Sequence, residues 1–523
     1  MLFSKWEENS GRSYAIPRPD PGLDEALTAD LSQSLEKLRG FCGGTADLQI
    51  NRITASEVPM AFVMFEGLVN YQTLLLGAAG PLESAVAAAV GCSREKLPAV
   101  IERELFLSGD KKRFSTYREL IGFIASGFAA LLIDGAAEGI AFGVQGFSFR
   151  SVGEPSSETN LRGSREGFAE PIRINMSMVR RRMKTPSLCM KLLKLGEKSN
   201  TDVCILYRSD RAAPAMVQEV ERRLSEAVFD SLLDSGYLRP FLESGPFSLF
   251  SGTNVTERPD TLCAKLSEGR IGILVDGSPF AVVAPTLFAE HFQSADDYSE
   301  RPYYAVLMRL IKYLAFFLTM LLPGCYVAAV EYHPELLPAE LLFRVAEAES
   351  GMAFPLMAEA LFVHFLYELM REAGLRLPRP VGHAVSIIGA LVIGDAAVTA
   401  GLVSTPMVMV VALTTISSFV VPSLYEPLTL LRLVFILLGG TLGLYGVVLG
   451  LCFVGANLCS VTVLGVPATS PEMPFSGYAM RDTLLRMSWK WLGRRQFLVS
   501  RTAGTGQNDA AAQDRQREGD TRL

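Results

Sequence analysis

From Leu307 onward the chain carries apolar runs about one bilayer long, and this constrains its fold more than any other feature. LMRLIKYLAFFLTMLLPGCYVAAV (307–330) is followed by AVSIIGALVIGDAAVTAGLV (384–403) and PMVMVVALTTISSFVVPSLY (406–425). LLRLVFILLGGTLGLYGVVLGLCFVGANLCSVTVLGVP (430–467) comes last. About 20 apolar residues in a helix cross the hydrocarbon of a bilayer. The last run exceeds one crossing, so it bends or re-enters. A further segment, MAFPLMAEALFVHFLYELM (352–370), is apolar but carries Glu359, His364 and Glu368. It reads as a channel-lining span, a re-entrant helix or an interfacial helix.

Charge orients these runs. The connection 331–351 is acidic, with Arg344 its only Arg or Lys. Arg371, Arg376 and Arg379 follow, and Arg481, Arg486, Lys490, Arg494 and Arg495 come after the last run. Basic flanks stay on the cytoplasmic side. The acidic loop is therefore expected outside, the two basic segments inside, and 352–370 becomes a crossing. Both ends inside require an even number of passes, and the long last run must turn back. Four to six passes remain open.

Upstream the chain reads differently. Charged residues are 20% of the whole, below the ~25% of an average soluble protein, which suits a hybrid of soluble and membrane parts. The start, MLFSKWEENSGRSYAIPRPDPG, lacks a basic stretch leading into an apolar one, so no secretory signal is read there. The N-terminal region is expected in the cytoplasm. Helical patterns such as LTADLSQSLEKLRGF and AMVQEVERRLSEAVFDSLLDSG alternate with strands, of which AALLID, DVCILY and IGILVD are the clearest. One internal echo stands out: SGFAALLIDG (126–135) resembles EGRIGILVDG (268–277). Each runs strand, Asp-Gly, strand, a hairpin signal. Asp134 and Asp276 are read as turn residues rather than catalytic groups.

The expected fold is an α/β soluble N-terminal region of two small subdomains plus an all-α polytopic membrane domain. Its parts are a lead-in (1–25), subdomains at 26–165 and 166–300, and a membrane domain at 301–467. A basic cytoplasmic segment (468–501) and a disordered tail (502–523) complete it. Between the echoes lie Arg162, Arg165, Arg173, Arg180, Arg181, Arg182 and Lys184, interleaved with Glu154, Glu158, Glu166 and Glu170. With so many carboxylates nearby, this is read as a salt-bridged face or subunit interface, with Arg162, Arg165, Arg180, Arg181 and Arg182 as candidates. A net charge of -6 gives no reason to expect nucleic acid.

No catalytic constellation emerges, and no cofactor or metal is expected. The eight cysteines form no C-x-x-C pair, and the four histidines no tight metal spacing. P-loop, dinucleotide and G-x-S-x-G patterns are missing. The informative residues are ionisable groups in apolar runs, which normally face protein or water. Glu359, His364, Glu368 and Asp395 are the candidate ion-path or gating residues. His364 and Glu368 are one helical turn apart and suited to pair. Arg309, Lys312 and Arg432 are read as snorkelling to the membrane interface. Pro323-Gly324 and Pro422 are expected to kink helices.

Several stretches resemble the A subunits of GerA-type spore germinant receptors. They are EPSSETNLRGSREGFAEPIRINMSMVRRR (154–182), TERPD (256–260), GRIGILVDGSPF (269–280) and FAEHFQSADDYSERPYY (288–304). YHPELLP (332–338), REAGLRLPRPVGHAVSIIGALVIGDAAVTAGLVS (371–404) and LGVP (464–467) continue in the family's order. The resemblance implies a two-part cytoplasmic domain and a helical domain in the spore inner membrane. It also implies a permease-like B subunit and a lipoprotein C subunit as partners. A homo-oligomer of A subunits would surround a nutrient-gated cation path that triggers germination. His383 stands where the family usually has Gln, and His364 where an acidic residue is frequent. The alternatives are a SpoVAF-like accessory ion channel downstream of all receptors, a secondary transporter, and a non-conducting scaffold.

Overall fold

The computed structural model describes residues 21–499 except 89–93, 105–109, 147–153, 156–157, 159, 161–162, 244–247, 379–388, 390–391, 476–478, 489–491 and 493–496. Arg162, Arg379, His383, Lys490, Arg494, Arg495 and the 502–523 tail lie outside the described residues.

The internal echo is the visible part of a longer repeat. The first copy runs α1 (Leu31–Phe41), β1 (Leu48–Ala55), β2 (Val58–Phe65), α2 (Leu97–Glu104), β3 (Lys111–Phe114), α3 (Tyr117–Ile124), β4 (Ala129–Ile133) and β5 (Gly139–Phe142). The second runs α4 (Ile172–Arg182), β6 (Leu188–Leu195), β7 (Thr201–Arg208), α5 (Pro214–Glu226), β8 (Asn254–Thr256), α6 (Pro259–Ser267), β9 (Ile271–Val275) and β10 (Ala281–Ala284). Each forms a five-stranded antiparallel sheet, ordered β1-β2-β4-β5-β3 and β6-β7-β9-β10-β8. The two orders are the same once the strands are matched copy to copy.

Both faces of each sheet are covered. In the first, Met60, Phe62, Leu131 and Ile133 pack on one side, while Ala61, Val63, Ala130 and Leu132 pack against α1 and α3 on the other. In the second, Val203, Ile205, Ile273 and Val275 meet α5, while Cys204, Leu206 and Leu274 meet α4 and α6. Alternate residues point to opposite faces of a strand, so burying both faces makes these strands continuously apolar. That is why AALLI and IGILV were legible.

The Asp-Gly positions do the same job in both copies. Asp134 Oδ1 accepts from Leu31 N (3.3 Å) and Asp276 Oδ1 from Ile172 N (2.9 Å), each at the first residue of a helix. Gly135 N donates to Ala29 O (2.8 Å) and Gly277 N to Glu170 O (2.9 Å). Both glycines have positive φ, +84° and +86°, a region that favours glycine. The strand-to-strand connections therefore cap the helix that opens each copy.

One helix is shorter than its pattern suggests. α5 ends at Glu226 rather than near residue 236. Glu197 N and Lys198 N donate to Phe229 O and Asp230 O, so these residues pair with the β6–β7 turn instead of continuing the helix.

The helical part begins with α7 (Pro302–Tyr332), then α8 (Ala339–Glu349), α9 (Leu356–Arg376), α10 (Thr405–Ser418) and α11 (Tyr425–Ser460). Among the described residues two helices, Pro302–Tyr332 and Pro422–Ser460, are long and apolar enough to cross a membrane. The second turns back on itself. Gly443 has φ +62° and ψ -151°, outside helical values. A Cβ on Gly446 would lie 2.5 Å from Leu438 O, and one on Gly450 2.9 Å from Phe435 Cε1. Residues eight positions apart in an unbroken helix are separated by about 12 Å, so 425–442 and 444–460 are antiparallel limbs.

Contacts fix each direction. Near the sheets, His291 Nδ1 and Ser423 Oγ are 3.0 Å apart and Leu249 N donates to Asn457 Oδ1 (3.1 Å). At the far end, Gly443 sits against Tyr332. α7 and the first limb of α11 therefore run outward, and the second limb returns. α9 begins at the far end, where Met357 N donates to Glu331 Oε1 (3.3 Å), and runs back toward the sheets, as does α10. After α11 the chain rejoins the soluble part: Val461, Val463, Val466, Ala468 and Val499 pack into the core of the second sheet.

Candidate functional site: ionisable groups of the helical bundle

Among the described residues, the ionisable side chains of the apolar bundle fall in separate places. At the far end, Glu359 near the start of α9 is fully buried. Its Oε1 accepts from Ser404 N and Ser404 Oγ, both at 2.8 Å. Ser404 is the N-cap of α10, with Pro406 in the first turn, and its Oγ accepts from Met407 N (3.4 Å). Positive charge at a helix N-terminus favours a carboxylate there. Glu349, last residue of α8, places Oε1 2.8 Å from the same Ser404 Oγ. Glu359 Oε2 and Tyr326 Oη are buried with no hydrogen-bond partner.

Toward the sheets, Glu368 accepts from Arg432 Nη2 (2.5 Å), Tyr425 Oη (2.8 Å) and Arg371 Nε (3.1 Å). The Arg371 guanidinium also lies over the Tyr425 ring, 4.0 Å from its centroid. The expected His364–Glu368 pair is not formed; both ring nitrogens of buried His364 lack partners. A permanently charged guanidinium makes the stronger hydrogen bond to a carboxylate than imidazole does, and Arg432 takes that place. Arg432 is accordingly fully buried, not snorkelling. One carboxylate faces two guanidiniums, so this place carries net positive charge and suits a cation poorly.

Asp395 differs from both. It is exposed on the chain's own surface, within a π-helical turn Val392–Ala396 between α9 and α10.

Where α7 leaves the soluble part, Arg309 is also fully buried rather than snorkelling. Its Nε donates to Asp297 Oδ2 (2.9 Å) and its Nη1 to Asp482 O and Thr483 O, both 2.8 Å. Lys312 donates to Ser294 Oγ (3.0 Å). Burial holds the Asp482 carboxyl above its ordinary range despite the Arg309 charge. The first long helix and the returning C-terminal segment are thus tied at one guanidinium.

The arginine-rich stretch is mostly committed within the chain. Arg180 is buried and donates from Nε to Asp47 Oδ2 (2.6 Å) and from Nη2 to Asp47 Oδ1 (2.8 Å), joining the two sheet units. Its guanidinium lies 4.3 Å from the Phe65 ring centroid. It is an internal strut and is not available as a surface contact. Arg181 and Arg182 both donate to Glu166, at 2.7 and 2.5 Å, the salt-bridged face. Arg165 is exposed, 3.2 Å from Glu154.

Sequence reasoning missed Glu349, Ser404 and the Arg432 partnership. Ser-Thr-Pro at 404–406 was a readable helix start, whereas the long-range pairs left no local signal.

Residues 36–497 match the Bacillus/Clostridium GerA spore germination protein family. The chain belongs to this family, as an A-subunit-type spore germination protein. It is 37% identical to spore germination protein KA of Bacillus subtilis over 88% of this chain and 85% of that one. It is 35% identical to the uncharacterized membrane protein YfkQ of the same organism, over 95% and 96%. A crystal structure of the N-terminal domain of the A subunit of the Bacillus megaterium germinant receptor GerK3 matches at 28% identity and TM-score 0.41, covering 50% of this chain and 98% of that one. GerA-family membership places the chain among germination proteins rather than enzymes.

Proposed function

We propose that this GerA-family chain is the A subunit of a nutrient receptor in the spore inner membrane, and that copies of it surround a cation path whose opening starts germination. Asp395 carries the reading. An unpaired carboxylate facing lipid at mid-bilayer costs roughly 2.5–3.5 kcal/mol on the most lenient scale. Asp395 lies on the exposed surface of a stretch leading from the near end of α9 to the far end of α10. Water, or another copy of the chain, is the environment that relieves this cost. A ring of such carboxylates attracts cations.

The bundle is read as crossing six times: α7, α9, 377–403, α10 and the two limbs of α11. Support comes from the directions of α7, α9, α10 and the two limbs of α11, from the reversal at Gly443, and from both ends of the bundle lying beside the sheets. Arg371 and Arg376 then fall on the soluble, cytoplasmic side. Domain limits at 165, 300 and 467 are part of this proposal, with Val461, Val463 and Val466 at the last limit already packed into the second sheet's core. A permease-like B subunit and a lipoprotein C subunit complete the receptor, and exposed Arg165 is available for contact with a neighbour.

Spores lacking the gene, challenged with a nutrient panel, test the assignment. Loss of cation release for one nutrient set, with others intact, is expected. A uniform delay across all nutrients would instead make the chain an accessory channel downstream of every receptor.

A further inference from the structure

At the far end of the bundle a single hydroxyl stands between two carboxyl groups. Ser404 Oγ is 2.8 Å from Glu359 Oε1 and 2.8 Å from Glu349 Oε1. A serine hydroxyl has one hydrogen to donate. It satisfies one carboxylate, and the second contact is a hydrogen bond only if that carboxyl itself carries a proton and donates to Ser404 Oγ. We propose that Glu349, Ser404 and Glu359 form a proton-binding site that holds one proton between its two carboxyls and so latches α8 onto α9 and α10.

The surroundings agree. Glu359 is fully buried and its Oε2 has no partner. An ionised carboxylate left so is expensive. From α7, Tyr326 Oη is buried without a partner, and Glu331 adds a third carboxyl, accepting from Met357 N. From α10 come Ser404 and the Met407 N–H. Burial first, then the neighbouring Glu359 charge, raise Glu349 above its ordinary range. Two carboxyls this close to one hydroxyl can hold a single proton between them. A metal ion fits less well: no group of three or more metal-binding side chains is found among the described residues, and 2.8 Å is a hydrogen-bond length.

With that proton bound, α8 is bridged to the bundle. When a rise in pH removes it, two carboxylates face one hydroxyl, repel, and α8 is released. The site's protonation does not depend on ion conduction by the receptor, so the two readings fail separately.

Infrared difference spectroscopy of the full-length protein in lipid nanodiscs tests the proposal. Wild type is expected to show a protonated-carboxyl C=O band at neutral pH that shifts in heavy water and vanishes as pH rises. Glu349→Gln and Glu359→Gln should each lose that band, because the remaining carboxylate becomes sole acceptor of the Ser404 hydroxyl. Protection of the α8 amides, relative to their intrinsic base-catalysed exchange rates, should fall at high pH in wild type and become independent of pH in Glu349→Gln. No band in wild type, or a band that survives in both variants, would overturn the proposal. So would a band that appears only after sodium, potassium and divalent ions are removed, which would make the site a metal-cation site.

Discussion

At the scale of single residues, the buried charges of this chain divide into struts and open groups. Arg180 with Asp47 is a strut: both are almost fully buried, at 1% and 3% side-chain exposure. Removing one partner leaves the other as an uncompensated buried charge, costing about 3–5 kcal/mol, whereas replacing both by apolar groups is often nearly neutral. Arg180→Met is therefore expected to lower the thermal midpoint strongly, and Arg180→Met with Asp47→Leu to recover most of it. The basic run at 180–182 and its neighbouring carboxylate Glu166 were legible, but the buried partner of Arg180 was not: Asp47 lies 133 residues away. Glu368 teaches the same lesson. Its i–4 neighbour His364 was the expected partner, whereas Arg371 one turn on, Tyr425 and, 64 residues away, Arg432 make the contacts.

At the scale of elements, the duplicated Asp-Gly turns and the glycine-lined helix contacts carry the fold. Asp134→Ala and Asp276→Ala each remove a carboxylate from a helix start, and each is expected to cost about 1 kcal/mol of stability in chemical denaturation. Unequal effects would mean that the two copies do not use the turn alike. The strands on either side were legible because both sheet faces are buried. The shared cap was not, since it joins residues 103 and 104 positions apart. In the bundle, a Cβ on Gly439 would lie 2.3 Å from Gly324 O, while one on Gly455 meets nothing within 4 Å. Gly439→Ala is thus expected to destabilise by roughly 1–3 kcal/mol through overpacking. Gly455→Ala should be neutral or slightly stabilising, as measured by thermal unfolding in detergent. The length of the last run already called for a bend; the place of the reversal becomes visible only at Gly443, where Gly446 and Gly450 meet Leu438 and Phe435.

At the scale of the whole molecule, the basic flanks point to an even number of passes, because charge asymmetry survives without knowledge of contacts. The six proposed crossings agree with that expectation, and flank charge alone does not fix the place of the turn at Gly443. Six crossings predict that Thr441→Cys, in a background without Cys452 and Cys459, reacts with an impermeant thiol reagent from outside. Asn457→Cys should react only after the membrane is opened. The central claim is that copies of this chain surround a cation path lined by Asp395. Its most direct test is nutrient-triggered cation release from spores carrying Asp395→Asn at normal protein level and assembly. The account predicts that release is lost or slowed by at least about tenfold, the loss of roughly 1.4 kcal/mol of favourable charge interaction. Unchanged release from spores that assemble the variant normally would contradict it.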